Sequence, residues 1–171
     1  DSDRFQPVLE IKNRTFMLAK GPDDLLFAGE YFYNDTQKPV RIFMSSDKGK
    51  IWEIAYTFPG NIRHIHNIIY DEYRKGFLVL TGDLDHESKV LISYDNFKTF
   101  QVFTEGCQKS RAYMIIPTAS GFYLPTDTQY EQNYIQFLEE NGNITPIIPI
   151  AGSCLAAAQV NNHYFFGTAV E

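Results

Sequence analysis

The chain is all-β by its sequence, built from repeated four-stranded antiparallel sheets, and three observations point there. Apolar and β-branched runs of about four to eight residues alternate with turn formers such as Gly21-Pro22-Asp23-Asp24 and Asn161-Asn162. No segment sustains a 3.6-residue apolar period, so almost no helix is expected. A turn sequence, Ser45-Ser46-Asp47-Lys48-Gly49-Lys50-Ile51-Trp52, returns 48 residues later as Ser93-Tyr94-Asp95-Asn96-Phe97-Lys98-Thr99-Phe100. An eroded copy, Leu138-Glu139-Glu140-Asn141-Gly142, follows 45 residues beyond that. A period of about 40–50 residues made of short strands suits a propeller blade, whose four strands cannot bury both faces without neighbouring blades. The expected architecture is therefore a single partial β-propeller domain over residues 1–171, with about three and a half blades.

Taken in order, Val8 to Ile11 reads as a strand of a preceding, partial blade. Blade one, 14–58, takes Arg14 to Ala19, Leu25 to Tyr33, Val40 to Met44 and Trp52 to Phe58 as its strands. Blade two, 63–104, takes Arg63 to Tyr70, Phe77 to Thr81, Lys89 to Ser93 and Phe100 to Thr104. Blade three, 111–150, takes Arg111 to Pro117, Gly121 to Leu124, Asn133 to Leu138 and Ile144 to Ile150. A fourth, 154–171, supplies two strands, Leu155 to Val160 and His163 to Thr168. Every break holds a turn former, and in the first copy of the repeated turn each residue has a local task. Ser45 and Asp47 can accept from turn backbone, Gly49 tolerates a positive φ, and Trp52 is an apolar anchor for the strand that follows.

The repeated turn resembles the Asp-box, or BNR repeat, of sialidases and related β-propellers, S-x-D-x-G-x-T-W, with Ile51 in place of the threonine. In that family the motif is a structural turn between the third and fourth strands of a blade, on the face away from the active site. Ile62-Arg63-His64-Ile65-His66 through Thr81-Gly82-Asp83, with Gln108 to Arg111 and Thr126-Asp127, is similar to bacterial Asp-box proteins described as sialidase-like or glycosyl-hydrolase-like. The Arg-Ile-Pro signature of sialidases is missing: Val40-Arg41-Ile42-Phe43 lies in another strand. The resemblance implies a glycan-directed propeller.

Composition narrows the partners. A chain of 171 residues, 44% hydrophobic, is enough for a packed core. Acids outnumber bases 21 to 15, for a net charge of −6, which argues against a general nucleic-acid partner. No apolar run approaches the roughly 20 residues of a membrane helix, so no membrane partner is expected. Cys107 and Cys154 stand 47 residues apart and are expected as free thiols. No motif calls for a cofactor. The start at Asp1 suits a mature secreted protein, a trimmed piece or a cytosolic one, with a secreted or cell-surface setting favoured. At about 45 residues per blade the chain holds fewer blades than the 4–8 of closed propellers, so the remainder of a longer propeller or a second chain is expected to complete the ring.

Antiparallel order decides which residues share the mouth opposite the repeated turns. Arg14, Arg63 and Arg111, spaced 49 and 48 residues apart, fall at the same point of the innermost strand in consecutive blades. Guanidinium forks suit a carboxylate, sulfate or phosphate, and sialidases are similar in holding a substrate carboxylate with arginines. The alternative is a repeated ion pair with an acid at the end of strand two: Glu30, Asp83 and Asp127 respectively. His64 and His66 share a strand face, and a symmetric turn puts His64 opposite Asp83. With Asp85 and His86 they form either a hydrogen-bonded network or nitrogen and carboxylate ligands for a transition metal. Glycoside hydrolysis needs two carboxyls, or a tyrosine assisted by a carboxylate, set across the sugar; Asp83, Asp85, Asp127, Glu131 and Tyr130 are the candidates. Tyr31, Phe32 and Tyr33 read as blade packing. The expected function is binding of an acidic carbohydrate by Arg14, Arg63, His64, His66 and Arg111, with hydrolysis through Asp83 and Asp127 left open; the alternative is a non-catalytic protein-interaction propeller.

Overall fold

The computed structural model of the protein describes residues 7–169. Its fourteen strands form four antiparallel sheets in chain order, of four, four, four and two strands. The first contains β1 (Leu18–Lys20), β2 (Leu26–Gly29), β3 (Val40–Ser45) and β4 (Glu53–Phe58). The second contains β5 (His64–Asp71), β6 (Gly76–Gly82), β7 (Lys89–Ser93) and β8 (Gln101–Glu105). The third contains β9 (Ile116–Thr118), β10 (Gly121–Pro125), β11 (Asn133–Leu138) and β12 (Ile144–Ile150). The last pairs β13 (Cys154–Val160) with β14 (His163–Thr168). Among the described residues, helix is limited to single 3₁₀ turns at Pro22–Asp24, Asp85–Glu87 and Gln108–Ser110.

Strands alternate side chains between faces, and here that period builds two cores from one sheet. Phe77 and Val79 of β6 join Phe27, Val40 and Ile42 of the first sheet in one cluster. Leu78 and Leu80, the residues between and beyond them, join Phe122, Leu124 and Leu138 of the third sheet in another. The second sheet is thus covered on both faces, and β6 is buried along its whole length. Phe27 is fully buried and meets the rings of Phe77 and Phe97 edge-on, at centroid distances of 4.5 and 4.9 Å. The fourth sheet touches the third through Tyr123 against Tyr164 and leaves Leu155, Val160 and Phe165 exposed.

The repeated turns close through the residues singled out in the sequence. Ser45 Oγ donates to Asp47 Oδ1 (2.9 Å) and accepts from the Gly49 amide (2.9 Å), while Asp47 Oδ1 accepts from the Lys50 and Ile51 amides. Gly49 has φ +85°, and Trp52 Nε1 donates to its carbonyl (3.0 Å). In the second copy Phe97 takes the glycine's place at φ +70°. A positive φ costs a side chain roughly 1 kcal/mol or more; here the fully buried Phe97 ring, packed between Phe27 and Phe100, offsets it.

Four expected strands are shorter or missing, and two have a physical reason. Val8 to Ile11 forms no strand, and Arg14 to Ala19 shrinks to Leu18–Lys20 plus one bridge between Arg14 and Tyr31. Leu25 to Tyr33 stops at Gly29 because the next carbonyls serve the second sheet: Glu30 O accepts from the Ile65 amide (3.0 Å) and Phe32 O from His64 Nδ1 (3.0 Å). Arg111 to Ile115 likewise leaves the ladder, giving the Ala112 carbonyl to His66 Nδ1 (2.9 Å) and the Tyr113 carbonyl to Asn67 Nδ2 (3.1 Å).

Two measurements check this packing. Phe27→Ala is expected to cost about 3–5 kcal/mol in urea unfolding, the range for emptying a buried aromatic site. In the second turn, the Thr99 amide and hydroxyl hold the Asp95 carboxyl down at about 2, with Ser93 and the Lys98 amide assisting. A depressed folded pKa stabilises above the unfolded value near 4 and loses that contribution as pH falls toward about 2. Asp95→Asn should therefore lower the melting temperature at pH 7 and flatten its fall between about pH 4 and 2.

Candidate functional site

The polar residues that the sheets leave at one end converge on the Asp83 carboxylate. β5 begins with His64, and β6 ends at Gly82 beside it, so the first residue past the strand, Asp83, is delivered to the two histidines. The register differs by one from the symmetric expectation: His64 pairs with Gly82, and a bulge at His66 lies between Ile65 and Asn67. The bulge does not separate the rings, whose Nε2 atoms stand 3.1 Å apart. Asp83 Oδ1 lies 3.3 Å from His64 Nε2 and 3.0 Å from His66 Nε2.

Two guanidiniums complete the surroundings. Arg111 Nη2 lies 3.3 Å from Asp83 Oδ1 and 3.8 Å from Asp127 Oδ2. Arg63 reaches Asp35 Oδ1 at 2.5 Å, Asp83 Oδ2 at 3.5 Å and Glu87 Oε2 at 3.7 Å. The expected ion pairs Arg63–Asp83 and Arg111–Asp127 both form. The third does not: Glu30 turns instead to Arg41 (3.7 Å) and to Asn13 Nδ2 (2.9 Å), leaving Arg14 exposed. The structure therefore gathers Arg63, His64, His66, Asp83, Arg111 and Asp127, and sets Arg14 on the wall of the adjoining cleft.

That cleft, of about 510 Å³, is lined by Lys12, Asn13, Arg14, Tyr31, Phe32, Tyr33, Arg63, His64 and Asp83. Tyr31 stacks on His64 with centroids 3.9 Å apart, and Tyr33 is 80% exposed, with the Arg63 guanidinium 5.2 Å from its ring centre. Tyr33 is thus a surface ring beside the cleft, which corrects its reading as blade packing. Asp85 does not join the histidine cluster; it accepts from Gln108 Nε2 at 2.8 Å. His86 is exposed, with its Nε2 3.9 Å from Glu87 Oε1.

Tautomers follow from the partners. Both Nδ1 atoms face backbone carbonyls, which only accept, so each ring donates there through Nδ1–H. In a neutral ring the Nε2 then carries a lone pair. Two Nε2 atoms and Asp83 Oδ1 meet within 3.0–3.3 Å of one another; a second proton makes either ring an imidazolium donor to Asp83, and a cation bound between them satisfies all three. Burial pushes the Asp83 carboxyl up, but hydrogen bonds and charge from His64 and His66 outweigh it and hold the group well below the usual carboxylate range. Burial, with Asp83 and Asp127, raises the Tyr31 phenol against Arg111 and Arg63, and burial with Tyr31 and Asp127 pushes Tyr113 up to about 12. Both phenols therefore keep their protons at neutral pH; Tyr31 lines the cleft, and the Tyr113 ring stands 5.8 Å from that of His66.

Sequence reasoning passed over Lys12 and gave Glu87 and Gln108 no part in holding Asp83. Lys12 lines the cleft from a stretch without pattern, and nothing in the sequence marked it. Glu87, 1% exposed, accepts from the amides of Asp83 (3.2 Å) and Leu84 (3.1 Å) and from Gln37 Nε2, so it shapes the loop that carries Asp83. Gln108 Nε2 donates to the Asp83 carbonyl (3.1 Å), and its Oε1 accepts from Thr128. A buried Glu within a polar loop is a usable sequence signal only once burial is known. No family model matches this chain, and no curated protein or solved structure matches it.

The close fit of Gly82 under His66 tests how firmly the cluster is held. A Cβ at Gly82 would meet His66 Cε1 at 2.2 Å and Nε2 at 2.5 Å, and the ring is pinned by the Ala112 carbonyl. Gly82→Ala is expected to cost about 1–3 kcal/mol in urea unfolding, as overpacking does. It should also move the His66 imidazole resonances in NMR spectra.

Proposed function

We propose that the chain belongs to an Asp-box β-propeller and binds an acidic carbohydrate in the cleft that borders Asp83. Support for the propeller comes from three repeated features. Successive sheets pack face to face, the turn around Ser45 and Asp47 recurs at Ser93 and Asp95, and a strand-entry amide of one sheet bonds a loop carbonyl of the sheet before it. That last bond occurs as Ile65 N to Glu30 O (3.0 Å) and again as Cys154 N to Thr126 O (3.1 Å). Stacked about a common axis, such units bring residues one repeat apart to the hub, as with Arg63 and Arg111 on Asp83.

The observation that carries the ligand class is the cleft wall, where the cations Lys12, Arg14 and Arg63 stand beside the phenols of Tyr31 and Tyr33. Lys12 and Arg14 are exposed, and among the described residues neither is in an ion pair. Guanidinium and ammonium groups match a uronate, sialate or sulfate, while phenols offer a donor and a ring face to the sugar. Two-carboxyl hydrolysis pairs an ionised carboxylate with a protonated acid; Asp83, ionised among His64, His66 and Arg111, suits the first role, but Asp127, the candidate for the second, does not line the cleft. Binding is therefore the activity proposed, with Asp83 as the anchor that holds both imidazoles and both guanidiniums.

Lys12→Ala with Arg14→Ala should lower affinity for acidic oligosaccharides on a glycan array or in calorimetry by about tenfold or more, and added salt should weaken wild-type binding in the same direction. Because both side chains are exposed, the melting temperature should stay within about 2 °C of wild type. Retention of no acidic glycan by the folded wild type would sink this reading and favour the protein-interaction module.

A further inference from the structure

We infer that His64 Nε2, His66 Nε2 and Asp83 Oδ1 form one face of a coordination site for a divalent first-row transition ion of the Zn²⁺ type. The three atoms are 3.1, 3.0 and 3.3 Å apart. Ligands bonded at about 2.0–2.1 Å stand roughly 3.3–3.4 Å apart at tetrahedral angles and about 2.9–3.0 Å apart at octahedral ones, so the observed triangle fits either geometry. Among the described residues, this is the group of His, Cys, Asp and Glu side chains whose donor atoms converge closely enough to hold an ion.

The outer shell has the form a metal site requires. Each histidine has its far nitrogen fixed by a backbone carbonyl, Phe32 O for His64 and Ala112 O for His66, which presents Nε2 inward. The ligating carboxylate is in turn held by Arg111 at 3.3 Å and Arg63 at 3.5 Å. Two guanidiniums near a cation are opposed by the four carboxylates they contact, Asp35, Asp83, Glu87 and Asp127, leaving a surplus of two negative charges for a divalent ion. His64 and Asp83 line the 510 Å³ cleft, so positions beyond the three protein ligands open toward solvent and ligand. This inference stands apart from the carbohydrate reading, since metal binding is measured with no sugar present.

Protein stripped with a chelator is titrated with Zn²⁺ alone, and with Co²⁺ for its visible spectrum. The expected result is one ion per chain. In ¹⁵N-resolved spectra of the four histidines, Zn²⁺ should move two Nε2 resonances while both Nδ1–H protons persist. His64→Ala and Asp83→Asn should each weaken binding by roughly 100-fold or more. His86→Ala and His163→Ala should bind as wild type does. If either site variant fails to fold by near-ultraviolet circular dichroism, the wild-type histidine spectra decide the matter alone. The inference is overturned if folded wild type takes up no stoichiometric ion, if the ion moves His86 or His163 instead, or if His64→Ala binds unchanged. Imidazoles doubly protonated at neutral pH with no metal uptake would assign protons to the cluster.

Discussion

The structure depends on one constraint: β6 must be buried on both faces. Its residues alternate between two separate cores, Phe77 and Val79 toward the first sheet and Leu78 and Leu80 toward the third. Each fully buried apolar side chain of this kind contributes about 1.5–3 kcal/mol relative to exposure. The second sheet therefore cannot stand without a partner on either side, and the chain answers by laying sheets down in sequence order. Close approach is part of the same constraint. A side chain at Gly29 would run into Ile65, with contacts as short as 2.6 Å, so the sheets meet backbone to side chain.

The polar site is a consequence of that packing. Where β5 starts and β6 ends, the apolar pattern stops and buried polar groups must find partners within the protein. The carbonyls of Glu30, Phe32, Ala112 and Tyr113 leave their own ladders to serve the second sheet, which shortens β2 and β9 and orients both histidines. Burying charged groups is costly unless each is paired. Asp83 meets this by contacting two imidazoles and two guanidiniums, and Glu87 by accepting from two amides and Gln37. Polar atoms and charges are thus locked together in a pattern that admits few substitutions.

Much of the fold was legible because its signals are local. Turn formers at Gly21 to Asp24, Asn161-Asn162 and the Ser45–Trp52 motif are read residue by residue, and β7, β11, β12 and β14 have the bounds that their apolar runs suggest. The site was legible in part. The spacing of Arg63 and Arg111 brought both to Asp83, while Arg14, at the equivalent spacing, lies without Glu30 because Arg41 and Asn13 occupy that carboxylate. Lys12 and the carbonyls of Phe32 and Ala112 left no mark in the sequence, since a backbone carbonyl has no residue identity and a lysine in an unpatterned stretch has no periodicity.

By itself the sequence determined the all-β class, the order of the sheets and the turns between them, because alternation and turn chemistry act over a few residues. Only the tertiary structure decided that His64 Nε2, His66 Nε2 and Asp83 Oδ1 converge within 3.0–3.3 Å of one another, with both far nitrogens tied to carbonyls from neighbouring sheets. That convergence depends on a bulge at His66 and on contacts spanning up to 46 residues, and neither leaves a periodic trace in the chain.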